Sequence, residues 1–448
     1  MKSRLIIPLL LPAIFVAGCG RKEDPARNEV VYNCAANATE IASLREELPA
    51  FAARTGITLT LNPFTGQEKL YAMMAAGQAP DIFYTSGTMR DRLAAEGRIL
   101  DLRSVAAGDP FVSRLWPPMF ATGISADSGW YSIPNWSFTL GVYYNRDLFA
   151  AAGVRYPDTS WHWADLLTAA RKLTRDENGD GEPDRYGIFI GSHFVEALEQ
   201  MNGAEITPNS LTAEINPRSA EAYRAVLRLM DERVMPDLRR IQAMGMQAAQ
   251  LLQEGKVAML VEALPHQMLI EGLTIRWGVA PLPRFPGVQP RYFRSASGGL
   301  SISASTRDPR AAWTALKWLI GEAPLYQPNP VLRDVDFVGG WETRYPQLAG
   351  NGFRETWQLS LQHDGGDPRF FVRYSSWTSA SILERLQPLL DRLWARELTV
   401  EGLIEAIPSV NARVERDLRD LLGRGGIRPA FRHSIESSLK GLERGAER

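Results

Sequence analysis

The spacing of apolar residues changes period repeatedly along the chain. Val30-Val31-Tyr32 is a short run of β-formers. From Thr39 onward Ile41, Leu44, Leu48 and Phe51 recur on one helical face until Gly56 interrupts them. Ile57 to Leu61 then reads as a second strand. Residues 67–76 have helical spacing and stop at Gly77, and Ala79-Pro80-Asp81 leads into the strand Ile82-Phe83-Tyr84. Strand and helix thus alternate every few tens of residues. That rhythm predicts an α/β fold with a parallel sheet and ligands at the carboxyl ends of its strands.

The pattern continues downstream. Leu140 to Asn145 is a strand, followed by a short helix through Asp147-Leu148-Phe149 that closes at Gly153. Residues 163–173 form a helix with Leu166, Leu167, Ala170 and Leu173 inward. Asp308 caps a helix over 309–320, with Pro309 in its first turn and Gly321 behind it. Residues 380–394 and 399–421 are amphipathic helices, and the Pro-rich stretch 324–330 is a loop or interdomain passage.

The chain has 448 residues, enough for two or three domains. A hydrophobic fraction of 45% and a net charge of −1 fit a globular protein without a nucleic-acid surface. The start of the chain departs from this average. Lys2 and Arg4 precede an apolar stretch, Leu5 to Ala17, that is too short and too Pro-interrupted to span a membrane. It reads as a signal peptide over 1–18. Val16-Ala17-Gly18-Cys19 resembles the bacterial lipobox, which implies lipidation at Cys19 and a tether over 19–28. The alternative is an ordinary secretory signal with an incidental Cys. Cys34 is the other cysteine; with Cys19 lipidated no intrachain disulfide forms, and Cys34 reads as a small buried residue.

Seven separated segments resemble, in order, the extracellular solute-binding proteins of family 1, the maltose-binding-protein-like lipoprotein components of ABC importers. They are Gly77 to Asp81, Gly97 to Leu102, Tyr143 to Phe149, Trp163 to Thr174, Gly255 to Met259, Gly278 to Pro283, and Ser297 to Ile302. The resemblance implies a two-lobed periplasmic-binding-protein fold, type II-like, with hinge crossings and a ligand cleft. Lobe 1 would comprise 29–136 and 284–330, and lobe 2 would comprise 137–282 and 340–448. The crossings would fall near 134–139, 279–283 and 324–345. It also implies a monomer held by its lipid anchor to a membrane facing the periplasm or cell exterior. That monomer would pass a mono- or oligosaccharide to permease subunits.

Ligand contacts follow from motif position. After the first strand come Asn33, Asn37 and Glu40, with local helix capping as the competing role. Thr85, Ser86 and Thr88 follow the third strand. Asn135, Trp136 and Phe138 lie at the first crossing, where Trp136 is the preferred platform for a sugar ring. Glu262 sits at the family's polar position, and Ser297, Gly298 and Gly299 follow the second crossing. Trp341 is a second stacking candidate; Trp357, Arg373 and Trp377 are lesser ones. The aromatic usual at the place of Pro265 is absent, and His266 is more in keeping with a structural role.

Residues 176–184 (DENGDGEPD) alternate oxygen-bearing side chains around Gly181. Asp176, Asn178, Asp180 and Asp184 have the spacing of a calcium loop, but Gly187 replaces the bidentate Glu at its twelfth position. A structural Ca2+ competes here with a turn that binds nothing tightly; no other cofactor is called for. Three rival functions remain: a binder of sugar or polyol phosphates, a lipoprotein sensor, and a secreted glycoside hydrolase. No nucleophile elbow, HExxH or phosphate loop supports an enzyme.

Overall fold

The computed structural model describes residues 28–34, 38–63, 66–117, 123–125, 127–191, 198–199, 201–203, 212–287, 294–295, 298–324, 328–362, 377–423 and 425–446. The signal segment and Cys19 lie outside them. Ten strands occur among the described residues. They are β1 (Glu29–Cys34), β2 (Thr58–Pro63), β3 (Ile82–Thr85), β4 (Ile133–Pro134), β5 (Phe138–Asn145), β6 (Tyr186–Ile190), β7 (Val257–Leu264), β8 (Trp277–Pro281), β9 (Arg294–Ser295) and β10 (Gly299–Ile302). They form two sheets, ordered β2-β1-β3-β10-β4 and β6-β7-β5-β8, with β9 alongside β5.

Each sheet is mixed, where the strand–helix rhythm predicted parallel pairing. β1 runs parallel to β2 and β3, but β10 is antiparallel to both β3 and β4. In the other sheet β5 is antiparallel to β7 and β8. The reversed strands are those that adjoin passages between the sheets. Chain arriving from the other lobe enters at the end where β3 finishes, so it must run the opposite way.

Both faces of each sheet are covered. In the first, Ile82 and Ile302 pack with Ala312, Leu316 and Leu319 of the helix Pro309–Gly321, while Phe83 faces the helices Gln67–Ala75 and Gly87–Ala95. In the second, Val142 and Val261 meet Leu166, Ala170 and Leu173 of the helix Trp163–Leu173. Tyr143, Leu260 and Leu264 of the reverse face meet the helices Phe337–Arg344 and Phe353–Gln362. Each buried Leu contributes about 2 kcal/mol, so each lobe has its own hydrophobic support.

The chain first crosses through 135–137, between β4 and β5. The second passage lies between β9 and β10 rather than at 279–283. β8 is an internal strand of the second sheet, and Phe285 stacks on Trp163 at 5.0 Å. Pairing of Ser295 with Phe138 keeps the chain on the second lobe until β9 ends. The third passage separates Leu332, in the first lobe's core, from Phe337, in the second's.

A fourth passage carries no signal in the sequence pattern. After the helix Val400–Gly423, Gly425 and Gly426 both take left-handed conformations. Arg428 then donates its amide to Ala95 O (3.0 Å) and its guanidinium to Tyr131 Oη (2.9 Å). Phe431 joins the first lobe's core, whereas Ile435 and Leu439 of the same helix, Pro429–Ala446, join the second's. The terminal helix therefore grips both lobes.

Candidate functional site

The expected ligand residues divide by role. Asn33 is the penultimate residue of β1 and only 3% exposed. Its side-chain oxygen has no hydrogen-bond partner, and neither has the oxygen of Asn135 in the first crossing. Trp136 is half-buried and meets Trp341 edge-on, with ring centroids 6.1 Å apart.

Trp341 differs from the sequence reading. It is 5% exposed, with Tyr345 stacked 5.2 Å away and Phe337 at 6.1 Å. Its ring faces belong to the core, so the group it offers is the indole N–H, which lacks a partner. Trp357 is core as well, 4.2 Å from Phe337. Burial of long apolar stretches after the third crossing requires these rings as filling, which the spacing of Trp along the chain does not reveal.

Other candidates are occupied by the fold. Thr85 Oγ1 lies 2.8 Å from Ser301 Oγ and bridges β3 to β10. Ser86 accepts the Met89 amide and caps the next helix. Gly298 has φ of +121°, and a Cβ there would lie 2.4 Å from Thr85 O. A Cβ on Gly299 would lie 2.3 Å from Ile133 O. Both glycines serve strand approach at the crossing. Phe138 is half-buried against the second lobe's core. Glu40 stands in the first turn of the helix Ala38–Thr55, where its charge complements the helix dipole. Burial above all pushes the Cys34 thiol up to about 11, with Glu40 adding to it, so Cys34 is an inert core residue. Asn37, Ser297, Arg373 and the side chains of Thr88 and Trp377 lie outside the described residues.

Glu262 is half-buried near the end of β7, and burial raises its carboxyl above the usual range. Just beyond it, His266 caps the helix Gln267–Gly272 by accepting the Leu269 amide at Nδ1 (3.1 Å). Burial lowers its pKa, which favours the neutral ring. With Nδ1 accepting, the proton resides on Nε2 and that nitrogen is a donor.

The acidic loop spends its oxygens on its own backbone. Asp176 accepts the amides of Gly179 (2.7 Å) and Gly181 (2.8 Å), Asn178 that of Asp180, Asp180 that of Glu182, and Asp184 that of Glu177. These are linked Asx turns. Among the described residues no group of three or more His, Cys, Asp or Glu is placed to hold a metal ion.

One buried pair escaped the sequence reading. Arg90 and Asp91, 2% and 1% exposed, bond at 2.8 Å in the helix after β3, and Ser125 Oγ donates to the same carboxylate oxygen. Burial carries the Asp91 carboxyl up to about 6 against the pull of Arg90. Adjacent Arg-Asp on a helix ordinarily reads as solvated surface, so no local signal marked it. Away from the crossings, two grooves of about 500 and 430 Å3 adjoin the starts of β6 and β7. Arg233 and Arg396 of the first groove already pair with Glu182 and Asp231.

Comparison with known proteins bears on this arrangement. Residues 35–324 match the model for bacterial extracellular solute-binding proteins. The sn-glycerol-3-phosphate-binding periplasmic protein of Rhizobium meliloti is 24% identical over 290 residues, 62% of this chain and 64% of that protein. A putative binding protein of Brucella abortus is 26% identical over 205 residues, 43% of this chain and 47% of that one. The chain thus spans about half to two thirds of the length of these curated relatives.

Solved structures share the fold over more of the chain. An ABC substrate-binding protein of Listeria monocytogenes, in complex with cycloalternan, superposes with a TM-score of 0.70 at 19% identity, covering 87% of this chain and 98% of that one. A solute-binding protein of Agrobacterium radiobacter in complex with ribitol gives 0.63 at 18% identity, covering 87% and 98%. These likenesses identify the two-lobed periplasmic solute-binding architecture.

Proposed function

Since the chain belongs to the bacterial extracellular solute-binding protein family, we propose that it captures a carbohydrate or polyol and delivers it to the permease of an ABC importer. One observation carries this reading. Asn33 Oδ1, Asn135 Oδ1 and Trp341 Nε1 are buried without partners. They come from three separate stretches of chain: β1, the first crossing and the helix Phe337–Arg344. An unsatisfied buried polar group costs about 1–3 kcal/mol, and a polyhydroxy ligand supplies both the donors and the acceptors that would relieve it. Half-buried Trp136 adds an apolar surface for the C–H face of a ring. Hinged closure of the lobes would then exclude water and strengthen these bonds.

The ligands named for the Listeria and Agrobacterium proteins, an oligosaccharide and a polyol, support this class. The name of the Rhizobium relative favours a second reading, a polyol phosphate. Either role is binding without turnover. Export and lipid anchoring at Cys19 rest on the signal pattern; Cys19→Ser is expected to move the protein from the membrane to the soluble fraction.

A thermal-shift panel of sugars, polyols, their phosphates, amino acids and peptides tests the ligand class. A ligand at 100 times its Kd stabilises the fold by about 2.7 kcal/mol, so the true class raises the midpoint. A shift with amino acids or peptides alone would overturn the proposal, as would turnover of the bound ligand. Undiminished uptake of that ligand in a deletion strain would assign the protein to sensing instead of transport.

A further inference from the structure

Glu262 occupies a gap in the second sheet. On β5 its cross-strand neighbour is Gly141, which has no side chain. On the other flank β6 stops one position earlier, with Ile190 opposite Val261. A carboxylate at a paired position ordinarily finds a cross-strand partner; here neither flank supplies one. Oε1 accepts the amide of Ala263 at 2.8 Å. Among the described residues Oε1 makes the one hydrogen bond of this carboxylate, and Oε2 stays open to solvent or ligand.

Closure over a ligand would take that oxygen out of water, and the ligand must then donate to it. Tyr143 is not that donor, because its hydroxyl is committed to Ala263 O at 2.9 Å. The His266 ring, a few residues on, is neutral and offers a donor of its own. This end of β7 lies beside the start of β5, Leu264 opposite Thr139, and so next to the first crossing; the chemistry it brings there is one acceptor carrying negative charge and one neutral donor.

Resting on the carbohydrate reading above, we propose that Glu262 is the charge-selecting residue of the site. It accepts from hydroxyl or ammonium groups of the ligand and rejects a phosphate or carboxylate at the same place. The preferred substrate class is thus neutral sugars, polyols or amino sugars, and phosphorylated polyols are discriminated against. Coulomb repulsion drives the selection: once closure excludes water, like charges side by side cost far more than in water.

Calorimetric titration of the full mature chain tests this with three probe sets: neutral sugars and polyols, their monophosphates, and amino sugars. Wild type is expected to bind a neutral probe at least tenfold more tightly than its phosphate. Glu262→Gln keeps the shape and removes the charge, so it should narrow that ratio at least fivefold. Glu262→Ala should weaken the neutral probe as well, by removing the acceptor. Equal binding of a neutral probe and its phosphate to wild type overturns the inference, as does an unaltered ratio in Glu262→Gln. If no carbohydrate of any charge binds wild type, the function reading itself fails, an outcome separate from the loss of charge selection alone.

Discussion

Replacing Gly298 by Ala separates a ligand contact from a structural hinge residue. The φ of +121° is a region that L-residues rarely enter, at a cost of about 1–3 kcal/mol. The added Cβ would stand 2.4 Å from Thr85 O and 2.6 Å from Tyr84 Oη. Tyr84 can swing aside, but Thr85 O is backbone of β3. Relief requires parting β3 from β10, which puts the 2.8 Å Thr85–Ser301 hydroxyl bond at risk, about another 1 kcal/mol. Together these give roughly 2–4 kcal/mol. At about 2–4 °C per kcal/mol for a unit of some 200 residues, the melting midpoint should fall by on the order of 10 °C. Gly272→Ala is the control, since that helical glycine has open space around its Cβ position and should be neutral or slightly stabilising. Scanning calorimetry without and with ligand reads both effects. An unchanged midpoint together with a lost ligand shift would refute the packing argument and return Gly298 to the role of a ligand contact.

Three further outcomes follow from ionisable groups. Arg171 and Arg228 hold the Glu232 carboxyl down at about 2, so its contribution is present above pH 4.5 and fades as pH falls toward 2; Glu232→Gln should cost at most about 1 kcal/mol at pH 7 in urea titrations and nothing near pH 2. Asp91 is the opposite case: raised from 3.8 to about 6, it favours the fold fully below pH 3.8, and that contribution is lost as pH rises through 6. A stability–pH profile of Asp91→Asn should therefore be flatter between pH 4 and 6 than that of wild type; parallel profiles would place the titration elsewhere. Because Asp176 already accepts two backbone amides, calcium and chelator should leave the melting midpoint unchanged, and a rise of several degrees with calcium would restore the loop as a metal site.

The sequence by itself determined the local elements and the family. Caps and periods were legible because they act within a few residues: Asp308 accepts the Arg310 and Ala311 amides, and Leu166, Ala170 and Leu173 are buried as their spacing predicts. Ordered motifs spread over most of the chain carried the two-lobed architecture. The tertiary structure decided strand direction, the later place of the second crossing, and the grip of the Arg428–Phe431 segment on the first lobe. It also decided which polar residues remain available. Thr85 is the last residue of its strand and Asn33 the penultimate one of its own, in the same sheet, yet Thr85 is paired to Ser301 while the Asn33 oxygen has no partner. Trp136 and Trp341 are equivalent letters, yet one is half-buried and the other 5% exposed. The physical reason is common to these cases. A periodic pattern records which side of an element faces inward, but the identity of its neighbour depends on contacts over hundreds of residues, and those contacts settle whether a polar atom is consumed by the fold or left for a ligand.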